Sequence, residues 1–542
     1  LDTNGGGSIH PFTSAESLVG GSTIYEGNRS DFLQLSVGPG ESETTWEDLK
    51  TTVQGEGDDV VSLCRFVHIT DFQLADVKSP SRFEYVNRYS KDKRFSGLIP
   101  GYRPQEFLIY AMVCELVKTI NSLPPSELSG REVDLVLTTG DLIDNAQNNE
   151  VGWVVSLLSG GTADVSSGSN QPEFVSSSSF GDSEYWHPDG GFDVYKEHFG
   201  FPVVEGMLTA AMRPIVSEGL KVPWLGCNGN HEILSQGVGE VSSALQEITQ
   251  GGSKSMDIGG GELPLDLYSY FVDDPAGFFS SGLQRSVSFD PKRRHITTSD
   301  LVRIYMEAPG SPPGHGFTQW NIEEDVAYFS YDLGDQMRVV TLDTAVSGGE
   351  AEGAIDRSQF LWLEEQLKSA SSRYFVDGRL TVNPFGHDRY VVITSHHPLK
   401  RMVNSFRDPQ RQEVDRGEIS DLLHRYPNVI LWLSGHTHVN EVSRSVSPYD
   451  RRYGFYEVTT VSIMDWPCQF RVVEILERPD ALEVHLEMGN VDVPAFTNEV
   501  DSTTDLASWH RCVAYNVARL LPKNFVGTRR DRNVKLVLEK RH

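Results

Sequence analysis

Five short stretches place residues able to bind a metal ion directly behind an apolar run. "FVHITDFQ" ends in Asp71 and Gln73, "LTTGDLID" carries Asp141 and Asp144, and "GCNGNHE" carries Asn230 and His231. "VITSHHP" supplies His396 and His397, and "LWLSGHTH" supplies His436 and His438. Any one of them is an ordinary turn after a strand, since Asp, Asn and Gly favour turns for local reasons. The ordered set of five is not, because it gathers carboxylates, amides and imidazoles and contains no thiolate. Such donors suit Mn, Fe or Zn. Hydrolysis of a phosphoester by two ions about 3.5–4 Å apart needs this mixture, with a carboxylate to bridge and neutral donors to complete each shell.

Strands must position these residues. Runs rich in Val, Ile and Leu at 61–70, 133–140, 222–230, 337–344, 389–397 and 428–438 read as strands covered on both faces. Between them, segments 104–123 and 356–370 carry apolar residues at helical spacing. The alternation predicts a layered α/β protein, in which functional residues collect at the carboxyl ends of the strands. Two stretches break the rhythm: about 151–220, Ser-rich and then aromatic, and about 250–325, rich in Gly and Pro. Both read as insertions that shape a substrate pocket. Around a core at 61–470, residues 1–60 read as an N-terminal extension and 471–542 as a C-terminal hairpin and tail.

The chain of 542 residues has 76 acidic against 47 basic residues, a net charge of −29. That field repels nucleic acid and anionic lipid, so no nucleic-acid partner is expected, and a phosphate-bearing substrate must be drawn in locally by metal or a pocket arginine. No run of about 18 apolar residues is present, so no membrane span is expected. The five cysteines are far apart and form no CxxC, which excludes a zinc ribbon and a dense disulfide framework and leaves room for at most two disulfides. Cys64 and Cys227 lie in apolar runs and read as small buried hydrophobes. The opening "LDTNGGGSIHPF" lacks Met, which fits a removed signal or a trimmed chain. With the acidic balance it points to an exported bacterial protein. Other catalytic classes fail on spacing: "HEILS" is not HExxH, "GGGE" precedes no Lys-Ser or Lys-Thr pair, and no GxSxG occurs.

The ordered motifs resemble those of the calcineurin-like metallophosphoesterase superfamily over about residues 61–470. The resemblance implies a four-layer αββα sandwich with a dinuclear site at the carboxyl edges of its strands. Carried over residue by residue, it implies that Asp71, Asp141 and His438 hold one metal and that Asp141 bridges to a second held by Asn230, His396 and His436. His231 then stabilises the transition state or protonates the leaving oxygen, and Asp144 orients a ligand. It further implies two divalent or mixed-valence ions and a metal-bridging hydroxide that attacks a small-molecule phosphoester, a diester before a monoester.

The chain departs from the family at its first motif, commonly D-x-H, where Gln73 takes the third place. An amide oxygen donates more weakly than imidazole, so Gln73 is either a weak ligand or turned away. Asp144 stands where purple acid phosphatases have Tyr, which speaks against that branch. "AYFSYDLGDQMRVVTLDT" and "VITSHHPL" resemble cyclic-nucleotide and glycerophosphodiester phosphodiesterases, while "YRPQE", "PGHGF" and "DWPCQF" resemble a group of large bacterial phosphoesterases. His315, His397, Arg401 and Lys400 are candidates to face the substrate. Gln73 also keeps open a metal-binding or scaffold protein of the same fold with weakened chemistry, and a phosphomonoesterase is a further alternative.

Overall fold

The computed structural model describes residues 8–49, 60–259, 264–405 and 411–541. The strands of its two large sheets, numbered in chain order, are β1 (Thr44–Leu49), β2 (Val61–Ile69), β3 (Leu135–Thr138), β4 (Trp224–Leu225), β5 (Phe329–Leu333), β6 (Met337–Thr341), β7 (Tyr390–Thr394), β8 (Val429–Ser434), β9 (Glu441–Val446), β10 (Gly454–Thr459), β11 (Gln469–Glu477), β12 (Ala481–Asn490) and β13 (Val534–Glu539). One sheet has seven strands in the order β1-β13-β12-β11-β2-β3-β4, and the other has six in the order β5-β6-β7-β8-β10-β9. The helices that flank them include α1 (Ile109–Asn121), α2 (Asn148–Ser159), α3 (Arg357–Ser369), α4 (Arg416–Arg425) and α5 (Thr503–Ala518). This is the mixed α/β architecture with insertions that the strand and helix alternation predicts.

The central strands of the six-stranded sheet are apolar on both faces because each face meets a different layer. On β6 and β7, Val339, Tyr390 and Val392 join the core shared with the seven-stranded sheet, including Phe66, Val472 and Val473. Their neighbours Val340, Val391 and Ile393 join a second core under Phe360, Leu363 and Leu367 of α3 and Ile419, Leu422 and Leu423 of α4. This period of two is what a pleated strand imposes. The Asp356 side chain caps α3 by accepting from Gln359 N. Leu363 is fully buried, and truncating such a leucine to alanine costs about 2–5 kcal/mol. Helices α1, α2 and α5 contribute to the larger core on the side of the seven-stranded sheet.

Within the sheets the middle pairings are parallel. β2 runs parallel to β3 and β3 to β4, while β6, β7, β8 and β10 pair in parallel in the other sheet. Their carboxyl ends therefore lie side by side along one edge, which is where all five motifs follow. The chain ends are woven into the seven-stranded sheet: β11 pairs antiparallel with β2, and β13 lies between β12 and β1. The two sheets are pinned at this edge by the buried His68 ring, whose Nε2 lies 2.8 Å from Thr139 Oγ1 and whose Nδ1 lies 2.8 Å from Thr460 Oγ1. All five cysteines are buried and unpaired. No helix among the described residues is long and apolar enough to cross a membrane.

Candidate metal centre

Asp71, Gln73, Asp141, His436 and His438 all take φ between 42° and 64°, a left-handed region that residues other than glycine enter rarely. Leaving a strand in that conformation bends the chain sharply, so these side chains gather over the sheet edge. Strain of this kind costs of order 1–3 kcal/mol per residue and persists only where the surroundings enforce it. Here the loops enforce it on each other, for Asp71 N donates to Gly140 O at 3.1 Å and Gln73 N donates to Asp141 O at 2.9 Å. The motif glycines permit the close approach. A Cβ on Gly229 would lie 2.3 Å from Asp141 Oδ1, and one on Gly435 would lie 2.3 Å from Asp71 Oδ2.

The result is a compact cluster of donors. Asp141 Oδ2 lies 3.0 Å from His396 Nε2, and Asp71 Oδ1 lies 3.2 Å from His438 Nε2. His436 Nδ1 lies 3.2 Å from His396 Nε2, and donor atoms of Asp71, Asp141 and His396 all fall within 4.8 Å of one another. Burial disfavours a charged ring at His396, yet the Asp141 carboxylate beside it holds its pKa up at about 9. Burial and the neighbouring His397 and His396 rings push His436 down instead. A site that draws a proton onto one ring to offset its buried carboxylates favours cations.

Outer contacts fix each donor. His396 Nδ1 lies 2.7 Å from the Thr139 carbonyl oxygen, whereas His438 Nδ1 lies 2.6 Å from Asp465 Oδ2. Burial works against an ionised Asp465, but Arg103 and His438 hold its carboxyl well below the usual range. Asn230 Nδ2 donates to Gly237 O at 2.9 Å, and its Oδ1 is buried with no hydrogen-bond partner among the described residues. His231 Nδ1 donates to the Asp144 carbonyl oxygen at 2.6 Å, leaving Nε2 to accept from Gln73 Nε2 at 3.1 Å. The Asp144 carboxylate is bonded by the buried Arg82 guanidinium and by Gln236 Nε2. Glu232, the last residue of GNHE, accepts from the backbone N–H groups of Asp141 at 2.8 Å, Leu142 at 2.6 Å and Gly229 at 2.8 Å, and so ties two motif loops together.

The sequence is 27% identical over 123 residues to a probable glycerophosphodiester phosphodiesterase, GpdQ, from Arcobacter nitrofigilis, a match that covers 22% of this chain and 39% of that relative. The five motifs at one sheet edge and this partial match support a likeness to the calcineurin-like metallophosphoesterase superfamily. The match spans about two fifths of the relative's length, and no family model matches the chain. Among solved structures, a dimetal phosphatase from Danio rerio aligns over 80% of this chain and 97% of its own at 12% identity, with a TM-score of only 0.31.

A cavity of about 620 Å³ opens at these donors, and Gln73, Asp141, Asn230, His231, His436 and His438 line it. Tyr185, Tyr195 and Phe199, within about 151–220, line one side of it. No described residue of 250–325 lines the cavity. Phe271 and Phe278 of that stretch pack against Phe83 instead. The remaining walls come from 82–104 and 517–525, neither of which stands out in the sequence as part of a pocket.

Four candidates for substrate contact lie outside the lining of this cavity. His315 is not on an open loop, for its ring is buried and stacked on Trp224 at 3.7 Å between centroids. His397 is buried with both nitrogens engaged, Nδ1 with Thr344 Oγ1 at 2.8 Å and Nε2 with Ala351 O at 2.9 Å. Arg401 pairs with Glu352 at 2.9 Å and Lys400 with Glu441, both on the surface.

Proposed function

We propose that this chain hydrolyses phosphodiesters with two divalent ions bound at the floor of the cavity. The observation that carries this is the orphaned Asn230 Oδ1, a buried acceptor on a residue that lines the cavity with Asp141, His436 and His438, since leaving such an atom unpaired costs about 1–3 kcal/mol unless something binds it. Asp71 and His438 would hold one ion, with the unpartnered Gln73 Oε1 facing the same corner. Asn230, His396 and His436 would hold the other, and Asp141 lies between the two. When bound, such ions polarise the phosphoryl oxygens and lower the pKa of attacking water.

The chain's own groups do the rest. His231 is fixed through Nδ1 and presents Nε2 to the floor, where in its protonated form it passes a proton to the departing alkoxide oxygen. The Arg82–Asp144 pair holds the loop that carries this contact. The partial likeness to a probable glycerophosphodiester phosphodiesterase supports a diester over a monoester.

Reconstitution with Mn, Fe, Co or Zn, followed by assay on bis(p-nitrophenyl) phosphate and p-nitrophenyl phosphate, tests this. Diester turnover exceeding monoester turnover is expected. Bound metal with no turnover of either ester would instead favour a binding protein of the same fold.

A further inference from the structure

Two of the four cations lining the cavity are not fully taken up by carboxylates. Of the cations lining it, Arg82 is bonded to Asp144, Glu84 and Glu106, and Arg88 pairs with Asp182. Arg103 and Lys523 are different. Arg103 Nε lies 3.3 Å from Asp465 Oδ1, yet that nitrogen makes no hydrogen bond. Lys523 follows α5 into the cavity wall, with its ammonium 4.9 Å from the Phe525 ring centre, and no carboxylate pairs with it among the described residues. The two cations face one carboxylate, Asp465, which His438 already engages. In a chain of net charge −29, two cations at one cavity wall offer an anion a local attraction that the rest of the surface does not.

Arg103 meets Asp465 at Oδ1 while His438 meets the same carboxylate at Oδ2, so one carboxylate links Arg103 to the His438 ring. Leu98, Ile99, Tyr195 and Phe199 also line the cavity and offer apolar surface to a carbon body.

Building on the phosphoester reading, we propose that Arg103 and Lys523 bind a second anionic group of the substrate, several bonds from the scissile phosphorus, and so select organic phosphoesters that carry more than one anionic group. Charge-assisted hydrogen bonds of this kind are about twice as strong as neutral ones. Lys523 is exposed along its stem, so substitution there leaves the fold intact.

The test is calorimetric binding of thymidine 5′-monophosphate and thymidine 3′,5′-bisphosphate to the metal-loaded protein. Wild type is expected to bind the bisphosphate about tenfold tighter or more. Lys523→Ala should close most of that gap, and Lys523→Arg should keep it. Equal binding of the two nucleotides by wild type would overturn the proposal. So would a gap that survives Lys523→Ala, or an equal loss for both nucleotides. Turnover of the p-nitrophenyl esters of the same nucleotides is read separately. If the binding gap appears without turnover, the hydrolase reading falls and the second anion site stands.

Discussion

The two corners of the proposed metal centre draw on similar kinds of donor but are braced differently. At the His396 corner the outer ring nitrogen meets a backbone carbonyl, that of Thr139. At the His438 corner it meets the carboxylate of Asp465. A carboxylate behind an imidazole makes the ring a stronger donor and adds negative charge to the corner. The same corner contains Gln73, whose amide donates more weakly than the imidazole commonly found there. Weak donation from inside is thus offset by stronger support from behind. The two ions should differ in affinity for a reason that lies outside the donor set itself.

The largest effect is expected where the corners meet. Asp141→Asn should release both ions and abolish turnover while the thermal unfolding midpoint changes little. Retention of more than about a tenth of wild-type activity, equivalent to only 1.4 kcal/mol of barrier, would show that Asp141 does not serve both corners. His231 belongs to neither corner, so His231→Ala should leave metal content unchanged and slow turnover by about 10²-fold or more. The loss should be greatest for esters with poor leaving groups, and an equal loss for good and poor leaving groups would remove the proton-donor role.

Asp465→Asn separates the corners. It weakens the support behind His438 alone, so one ion should be lost at about 10–100-fold lower chelator concentration than in wild type, while the other is retained as before. Metal analysis during a chelator titration reads this as a two-step release. Loss of both ions in one step would mean that the corners are not independently braced.

What the sequence reveals of this site follows from how local each signal is. Asp71, Asp141, Asn230 and His396 each follow their own strand, and His436 and His438 together follow a fifth, so these positions could be singled out from short patterns and a rule about strand ends. Asp465 is local to "DWPCQF" but takes its role from a histidine 27 positions away. Arg103 and Lys523 come from opposite parts of the chain, and nothing near either residue marks a cavity. His315 misleads for the opposite reason: a Gly/Pro-rich turn suggests exposure, and only the tertiary fold lays Trp224 against its ring. The sheet ends show the same limit, because β1 and β13 pair across nearly the whole chain, a register no short-range pattern encodes.

The smallest expected effect bears most directly on the weak donor at the Asp71–His438 corner. Gln73 has two faces: its Nε2 donates to His231 Nε2 at 3.1 Å, and its buried Oε1 has no partner. An amide that reaches His231 with one end can present the other to an ion beside Asp71, which joins metal binding to the proton-bearing histidine through a single side chain. Gln73→His replaces the amide oxygen with a stronger nitrogen donor and removes the amide N–H that His231 accepts. Metal at this corner should then survive a severalfold higher chelator concentration, and turnover should not rise, because His231 loses a positioning contact. The opposite corner should release its ion as in wild type. If wild type and Gln73→His lose the first ion at the same chelator concentration, Oε1 is not a donor to metal, and Gln73 acts on His231 alone.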